Sequence, residues 1–242
     1  MKIGFFSDVH ANWEALSACL KDFEGQGLNK LFFLGDAVGY GADPNLVVEK
    51  IEEICEIRIL GNHDAAVIGI LSPEYFNQYA QKSFYHTRKV IAEENFNILK
   101  SFDVTAEFDK FFMVHALPRD PQSWGYILTL GDAEENFGSF NTQVCLIGHS
   151  HRPVIVEKHG DKRAVQRREE TMVLDPDCRY IINVGSVGQP RDGDPRACYM
   201  VYDSETDEIS YRRVEYDLAS AQAKMREANM PGYLVDRLSS GK

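Results

Sequence analysis

The sequence predicts an α/β protein in which two β-sheets pack together. Three observations predict it. Up to about residue 151, short β-branched or aromatic runs alternate with segments of helical periodicity, the pattern of βα units. From Pro153 onward the chain is rich in strand-like runs, which calls for a second sheet. Five of the strand-like runs in the front part also end in polar side chains of the same few types.

In chain order, Lys2 to Phe6 reads as a strand ending at Asp8-Val9-His10. Asn12 caps a helix that places Trp13, Leu16, Leu20 and Phe23 at helical spacing. Lys30 to Leu34 is a second strand, ending at Gly35-Asp36. Asp43-Pro44 combines an N-cap with proline at the first helical position and opens a helix through Val47, Val48, Ile51 and Ile54. Ile57 to Leu60 is a third strand, followed by Gly61-Asn62-His63-Asp64. Residues 64–102 read as mostly helical, with Tyr75, Tyr79, Phe84, Val90, Ile91, Phe96 and Leu99 on an apolar face. That stretch reads either as a partial lid over the strand ends or as simple packing on the sheet.

Lys110 to Val114 is a strand ending at His115, and residues 118–130 form a loop containing Trp124 and Tyr126. Ala133 to Phe140 is a short helix. Gln143 to Ile147 is a strand ending at Gly148-His149-Ser150-His151. Strands are then expected at Pro153–Glu157, Arg163–Leu174, Arg179–Asn183, Arg196–Tyr202 and Ile209–Val214, with a closing helix over residues 218–229. No repeat, low-complexity tract or linker divides residues 1–242, so a single domain is expected, and 242 residues are ample for one core.

Hydrophobic residues make up 44% and charged residues 26% of the chain, the balance of a soluble globular protein. No apolar run approaches the roughly 18 residues that a membrane span needs. An acidic residue arrives at position 8, too early for a signal peptide. Five scattered cysteines, with no C-x-x-C pair, read as reduced thiols in a cytoplasmic protein. The formal charge of −11 speaks against a nucleic-acid partner, because such proteins usually present a basic face to phosphates. The basic residues between Lys162 and Arg168 read as a solvated hairpin edge. Acidic balance is also expected of a chain that holds cations.

The chemistry sits at strand ends, where ligands bind in open α/β sheets. Five of the seven histidines lie there, with Asp8, Asp36 and Asn62; only His86 and His159 do not. In extended backbone, residues i and i+2 share a side, which would pair Asp8 with His10 and His149 with His151. The set lacks thiolates, which argues against a structural zinc knot. Imidazole and carboxylate ligands suit Mn, Fe, Zn or Co. Seven ligands are too many for one metal with an open position. They suit two metals sharing a carboxylate, roughly 3.5–4 Å apart, which stabilise an in-line displacement and supply hydroxide near neutral pH.

Asp8-x-His10, Gly35-Asp36, Gly61-Asn62-His63-Asp64, His115 and Gly148-His149-Ser150-His151 together resemble the full motif set of the calcineurin-like metallophosphoesterases. Asn183-Val-Gly-Ser-Val-Gly-Gln-Pro-Arg191 resembles a C-terminal signature of bacterial and archaeal members. The resemblance implies a four-layer αββα sandwich with two mixed sheets flanked by helices. It implies a hydrolase that cleaves a small-molecule or nucleotide phosphate ester through a metal-bridging hydroxide, with two metals: manganese first, then iron, zinc, cobalt or nickel. It implies Asp8, His10, Asp36 and His151 on one metal. Asp36 as a bridge, Asn62, His115 and His149 would hold the other. His63 would contact the phosphate and protonate the leaving oxygen.

The protein Ser/Thr phosphatases of this superfamily continue the second motif with an aspartate and an arginine. Here glycine and tyrosine stand in those places, in Gly35-Asp36-Ala37-Val38-Gly39-Tyr40-Gly41, which weakens a protein-phosphatase reading. His63 then needs another partner than that aspartate; Asp64 is adjacent in sequence. Tyr40, Arg119 and Arg191 are candidates for the phosphate or leaving-group side, and Trp124 and Tyr126 for stacking on a nucleobase. Gly39-x-Gly41-x-x-Pro44 fails the dinucleotide fingerprint, and Arg152 stands where a nucleophile elbow needs glycine. The alternatives are a nuclease with the same two-metal core and a catalytically silent scaffold; the latter predicts broken ligands, and none is broken.

Overall fold

The structure, a computed structural model, describes residues 1–242. Its strands and helices alternate at first: β1 (Lys2–Phe6), α1 (Trp13–Gln26), β2 (Lys30–Phe33), α2 (Pro44–Ile54), β3 (Ile57–Arg58), α3 (Asn62–Val67), α4 (Gln78–Val90) and α5 (Glu93–Leu99). Then come β4 (Thr105–Phe108), β5 (Phe111–Val114), α6 (Leu130–Asn136) and β6 (Val144–Ile147). The rest is β7 (Val154–His159), β8 (Val165–Arg167), β9 (Thr171–Val173), β10 (Cys178–Asn183), β11 (Ala197–Asp203), β12 (Glu208–Val214), α7 (Leu218–Glu227) and α8 (Gly232–Arg237).

Two six-stranded mixed sheets result, in the orders β3-β2-β1-β11-β12-β9 and β4-β5-β6-β10-β7-β8. The alternation of side chains along each strand decides the layers. Ile3 and Phe5 of β1 face inward and meet Phe111 and Met113 of β5, Leu146 of β6 and Ile182 of β10 in a core between the sheets. Phe6 and Phe33 face outward, under Leu16 and Phe23 of α1 and Val47 and Ile51 of α2. On the far side, Val114, Cys145, Ile147 and Ile181 lie under Ala133 of α6 and Phe137. The four layers expected from the resemblance are therefore present.

Phe5 joins the sheets: its ring lies 5.5 Å from Phe32 in its own sheet and 4.9 Å from Phe111 in the other. Phe5→Ala is expected to lower the unfolding free energy by about 3–5 kcal/mol, checked by denaturant melts; a loss below about 1 kcal/mol would mean the inter-sheet core can close over the gap.

Several expectations are corrected. The single strand expected over Arg163–Leu174 is two, and they belong to different sheets: β8 pairs with β7, β9 with β12. The chain crosses between sheets at residues 168–170. The sequence does not predict β4, which forms a hairpin with β5. The stretch 64–102 is broken into α3, a 3₁₀ turn at Pro73–Tyr75, α4 and α5. Tyr75 and Val90, expected on its apolar face, are exposed, Tyr75 by 82%. What α4 buries instead is Ala80, Ser83 and Thr87. Past α7 a further short helix, α8, closes the chain. No helix is long and apolar enough to cross a membrane. All five cysteines are buried and free.

A candidate metal centre at the strand ends

The segments that follow β1, β2 and β6 leave the sheets through left-handed backbone. Asp8, His10, Asp36, Tyr40, His149 and His151 all have φ between 49° and 67°. Such a conformation is uncommon outside glycine and persists only where the surroundings hold it. Here backbone bonds hold it: Asp8 N–H donates to Gly35 C=O at 2.9 Å and His10 N–H to Asp36 C=O at 3.0 Å. His149 N–H donates to Asp8 Oδ2 at 3.0 Å. Six non-glycine residues in this state within one buried cluster mark a built site.

The structure brings six of the seven candidate ligands into close groups, and the seventh, Asn62, lines the pocket over them with Asp36, His149 and His151. Three groups have ligand atoms within 4.8 Å of one another: Asp8, His10 and His151; Asp36, His115 and His149; and His10, Asp36 and His63. The expectation that His149 and His151 share a side is corrected. Both residues adopt left-handed rather than extended backbone, and they divide between the first two groups.

Hydrogen bonds fix which nitrogen each imidazole presents. A carbonyl only accepts, so a ring nitrogen facing one carries the proton. His10 Nδ1 donates to Val38 C=O at 2.9 Å, His115 Nδ1 to Leu34 C=O at 2.7 Å and His151 Nδ1 to Gln189 C=O at 2.6 Å. Their Nε2 atoms therefore turn lone pairs inward. His149 is reversed: its Nε2 donates to Trp124 C=O at 2.9 Å, leaving Nδ1 for the cluster. The Tyr126 ring stacks on His149 at 4.0 Å, 16° from parallel.

These residues fit divalent cations on three counts. His10 Nε2 and His151 Nε2 lie 3.1 Å apart, two acceptors facing each other in a buried space. Asp8 Oδ1, Asn62 Oδ1 and His115 Nε2 are buried without any hydrogen-bond partner. Orphaned groups of this kind are costly unless something charged satisfies them. The donor set of imidazole, carboxylate and amide oxygen is that of first-row transition metals.

The electrostatics agree. Burial holds His10 and His151 below the ordinary imidazole range, so a shared proton does not relieve their contact. Burial likewise lowers His149 to about 3. Burial also pulls on His115, but the Asp36 carboxylate, 3.3 Å from Nε2, outweighs it and raises the ring to about 9. A proton and a cation compete for that same lone pair. For Asp8, burial is overcome by the neighbouring His151, and its carboxyl stays well below the usual range.

His63, at the start of α3, is buried between the Tyr40 ring at 4.5 Å, the His10 ring at 4.9 Å and the Phe76 ring stacked at 4.6 Å. Gly39 closes its Nδ1 side: a Cβ there would stand 2.4 Å from Nδ1. Its backbone N–H donates to Asp36 Oδ1 at 2.8 Å. Burial, aided by the charge of Arg191, lowers the ring to about 4 against the pull of Asp36. Asp64 turns away from His63. Its carboxylate accepts N–H bonds from Asp36, Val38 and Gly61 at 2.8, 3.1 and 3.1 Å, and a longer one from Ala37 at 3.3 Å. It therefore shapes the loop that carries Asp36. Asp64→Ala strands those donors in a buried site and is expected to cost about 3 kcal/mol or more. Thermal melts compared with Asp64→Asn, which keeps one acceptor oxygen, measure it; equal melting of Asp64→Ala and wild type would refute the cradle.

The pocket over the cluster is lined by Asp36, Tyr40, Asn62, His63, Phe76 and Arg191, among others. A second cavity of about 420 Å³ opens beside it, walled by Tyr75, Phe76, Trp124 and Tyr126. Tyr40 and Arg191 thus reach the site, and the Arg191 guanidinium lies 5.6 Å from the Tyr40 ring centre. Arg119 does not: it is exposed and pairs with Glu135 at 3.3 Å. Phe76 was missed in the sequence, where a single aromatic in a loop carries no periodic signal.

A family model described as the calcineurin-like phosphoesterase superfamily domain matches residues 1–207. The uncharacterized protein MJ0912 of Methanocaldococcus jannaschii is 39% identical over 245 residues, covering 99% of this chain and 98% of its own. A solved metallophosphoesterase from Sphaerobacter thermophilus is 38% identical, with a TM-score of 0.89 over 100% of this chain and 99% of that one. The hypothetical protein PH1004 from Pyrococcus horikoshii OT3, 17% identical with a TM-score of 0.80 over 100% and 98% of the two chains, shares the fold.

Proposed function

The chain belongs to the calcineurin-like phosphoesterase superfamily, and we propose that it is a cytoplasmic hydrolase with two divalent metals, acting on a small-molecule or nucleotide phosphate ester. The observation that carries this reading is the pair of inward lone pairs on His10 and His151, 3.1 Å apart, beside three orphaned buried atoms. Asp8, His10, Asp36 and His151 hold one cation; Asp36, shared, with Asn62, His115 and His149 holds the other. When bound, the two cations supply charge to the phosphoryl oxygens and acidify water.

The chain's own residues do the rest. The carbonyls of Val38, Leu34, Gln189 and Trp124 fix the four imidazoles in one tautomer each. Gly39 closes the Nδ1 side of His63, which leaves Nε2 to face the pocket. Burial and Arg191 keep the ring neutral before substrate binds, and a phosphate dianion bound beside it would restore the proton that it passes to the leaving oxygen. Arg191 and Tyr40 border that same side. Residues 64–102 act in part as a lid: the turn from Tyr75 to Asn77 and Ala80 of α4 line the pocket, while α5 packs on α2. All of residues 1–242 work as one domain in this reading.

A panel of phosphate mono- and diesters, assayed on chelated protein with Mn, Fe, Zn, Co, Ni and Mg added back separately, tests the proposal. Activity is expected with manganese foremost, and none after chelation. Undiminished turnover in chelator would refute it. Tyr126 and Trp124 border the second cavity, so Tyr126→Ala is expected to change selectivity between nucleotide and simple aryl phosphates. An equal loss on every substrate would make the loop structural only.

A further inference from the structure

Two cavities meet over the strand ends, and their walls divide the site. Both are bordered by Asn62 and His149, candidate ligands of the second cation, and by Phe76 and Tyr126. His63, Tyr40, Arg191 and His151 line the pocket over the cluster and do not line the second cavity. Phe76 marks the division: its ring stacks on His63 at 4.6 Å and also walls the second cavity. A group seated in that cavity therefore lies beside the second cation's ligands and away from His63, Tyr40 and Arg191.

The walls of this cavity suit a ring. Tyr75 and Phe76, ahead of α4, face Trp124 and Tyr126 from the loop after β5 across about 420 Å³, ample for a nucleobase or aryl ring. Two of these walls are tied to a candidate ligand. The Tyr126 ring stacks on His149 at 4.0 Å, and Trp124 C=O accepts the His149 Nε2 proton at 2.9 Å. Gln122 and Ser123 add polar groups to the same wall. Aromatic faces with a few polar groups are the composition that binds a ring with polar edges.

In the proposed function, on which this inference rests, the leaving group faces His63. In an in-line displacement the leaving oxygen departs opposite the incoming one, and the other three substituents of phosphorus lie to the sides. A monoester has one organic group, which then faces His63 and makes no use of the cavity. A diester has two. We infer that the cavity receives the retained group of a phosphodiester, so that the preferred substrate is a diester whose non-leaving alcohol carries a nucleobase or aryl ring. Water adds its hydroxide to phosphorus. The bond from phosphorus to the leaving oxygen breaks with its electron pair on oxygen, which takes the proton from His63; the second proton of water restores His63. The products are the leaving alcohol and a phosphate monoester whose ring still sits in the cavity.

Thymidine 5′-(p-nitrophenyl phosphate) and methyl p-nitrophenyl phosphate release the same p-nitrophenol and differ only in the retained group. With metal-loaded protein, kcat/KM is expected to be about tenfold higher for the thymidine ester, within the worth of stacking one base. Tyr75→Ala and Trp124→Ala, each with its metal content measured, should cut that ratio to about threefold or less, and Trp124→Phe should restore part of it. Tyr75 is exposed, so its ring can be removed without disturbing the core. No preference in the wild type, or a preference that survives both alanine variants, would overturn the inference. Calorimetry of thymidine 5′-monophosphate and methyl phosphate on the same proteins separates this result from the hydrolase reading. Turnover of both diesters without preference sinks the ring site alone. Tighter binding of the thymidine ligand that both alanine variants abolish, without turnover of either diester, keeps the ring site and sinks the hydrolase reading. Neither turnover nor a binding preference sinks both.

Discussion

His63→Ala should retain both metals and lose about 10²–10⁴-fold in rate on alkyl or ribose phosphate esters, the range that general acid catalysis supplies. The imidazole contacts Tyr40, Phe76 and Gly39, and its removal leaves the seven candidate ligands in place. A leaving group that is already acidic departs without a proton, so the loss on p-nitrophenyl phosphate should be smaller. Equal losses on both substrate types, with metals intact, would make His63 an electrostatic stabiliser of the phosphoryl oxygens instead. Loss of metal would make it a ligand, as its membership of a group with His10 and Asp36 allows. Full activity would place the acid elsewhere.

Asp36→Ala should abolish turnover and release metal from both positions. Asp36 Oδ2 stands 3.6 Å from His10 Nε2 and 3.3 Å from His115 Nε2, so it lies between the two ligand groups. Its Oδ1 also accepts the N–H of His63. Asp36→Asn keeps an oxygen for that bond but weakens the charge, and separates the two roles. Elemental analysis showing undiminished metal in Asp36→Ala would remove the shared carboxylate from the account.

Much of this site was readable because its residues are unusual where they stand. Histidines and aspartates within two residues of Phe6, Leu34, Val114 and Ile147 interrupt apolar runs, and no packing need explains them. The layers were readable for the same reason: alternation along β1 and β10 requires apolar neighbours on both faces. What escaped lacked local signal. Arg168 to Glu170 contains no glycine or proline, so the crossing from β8 to β9 looked like one continuous strand. Thr105 to Phe108 has no clean alternation, and only its pairing with β5 makes it a strand. On α4 the buried face is built of small residues, which let the helix approach closely, while Tyr85 points outward, as does Tyr75 in the turn before the helix. Asp64 is adjacent to His63 in sequence, which leaves its direction open; in the structure its carboxylate turns to the backbone of the loop carrying Asp36. Arg119 sits four residues past His115, yet the loop turns it to Glu135. Phe76 reaches the pocket only through contacts across the fold.

The central claim is that two metals share Asp36, and anomalous diffraction from manganese-loaded crystals tests it most directly. Two peaks are expected, one bounded by Asp8, His10 and His151, the other by Asn62, His115 and His149, with Asp36 touching both. A single peak at full loading, or two peaks with Asp36 on only one, would contradict it.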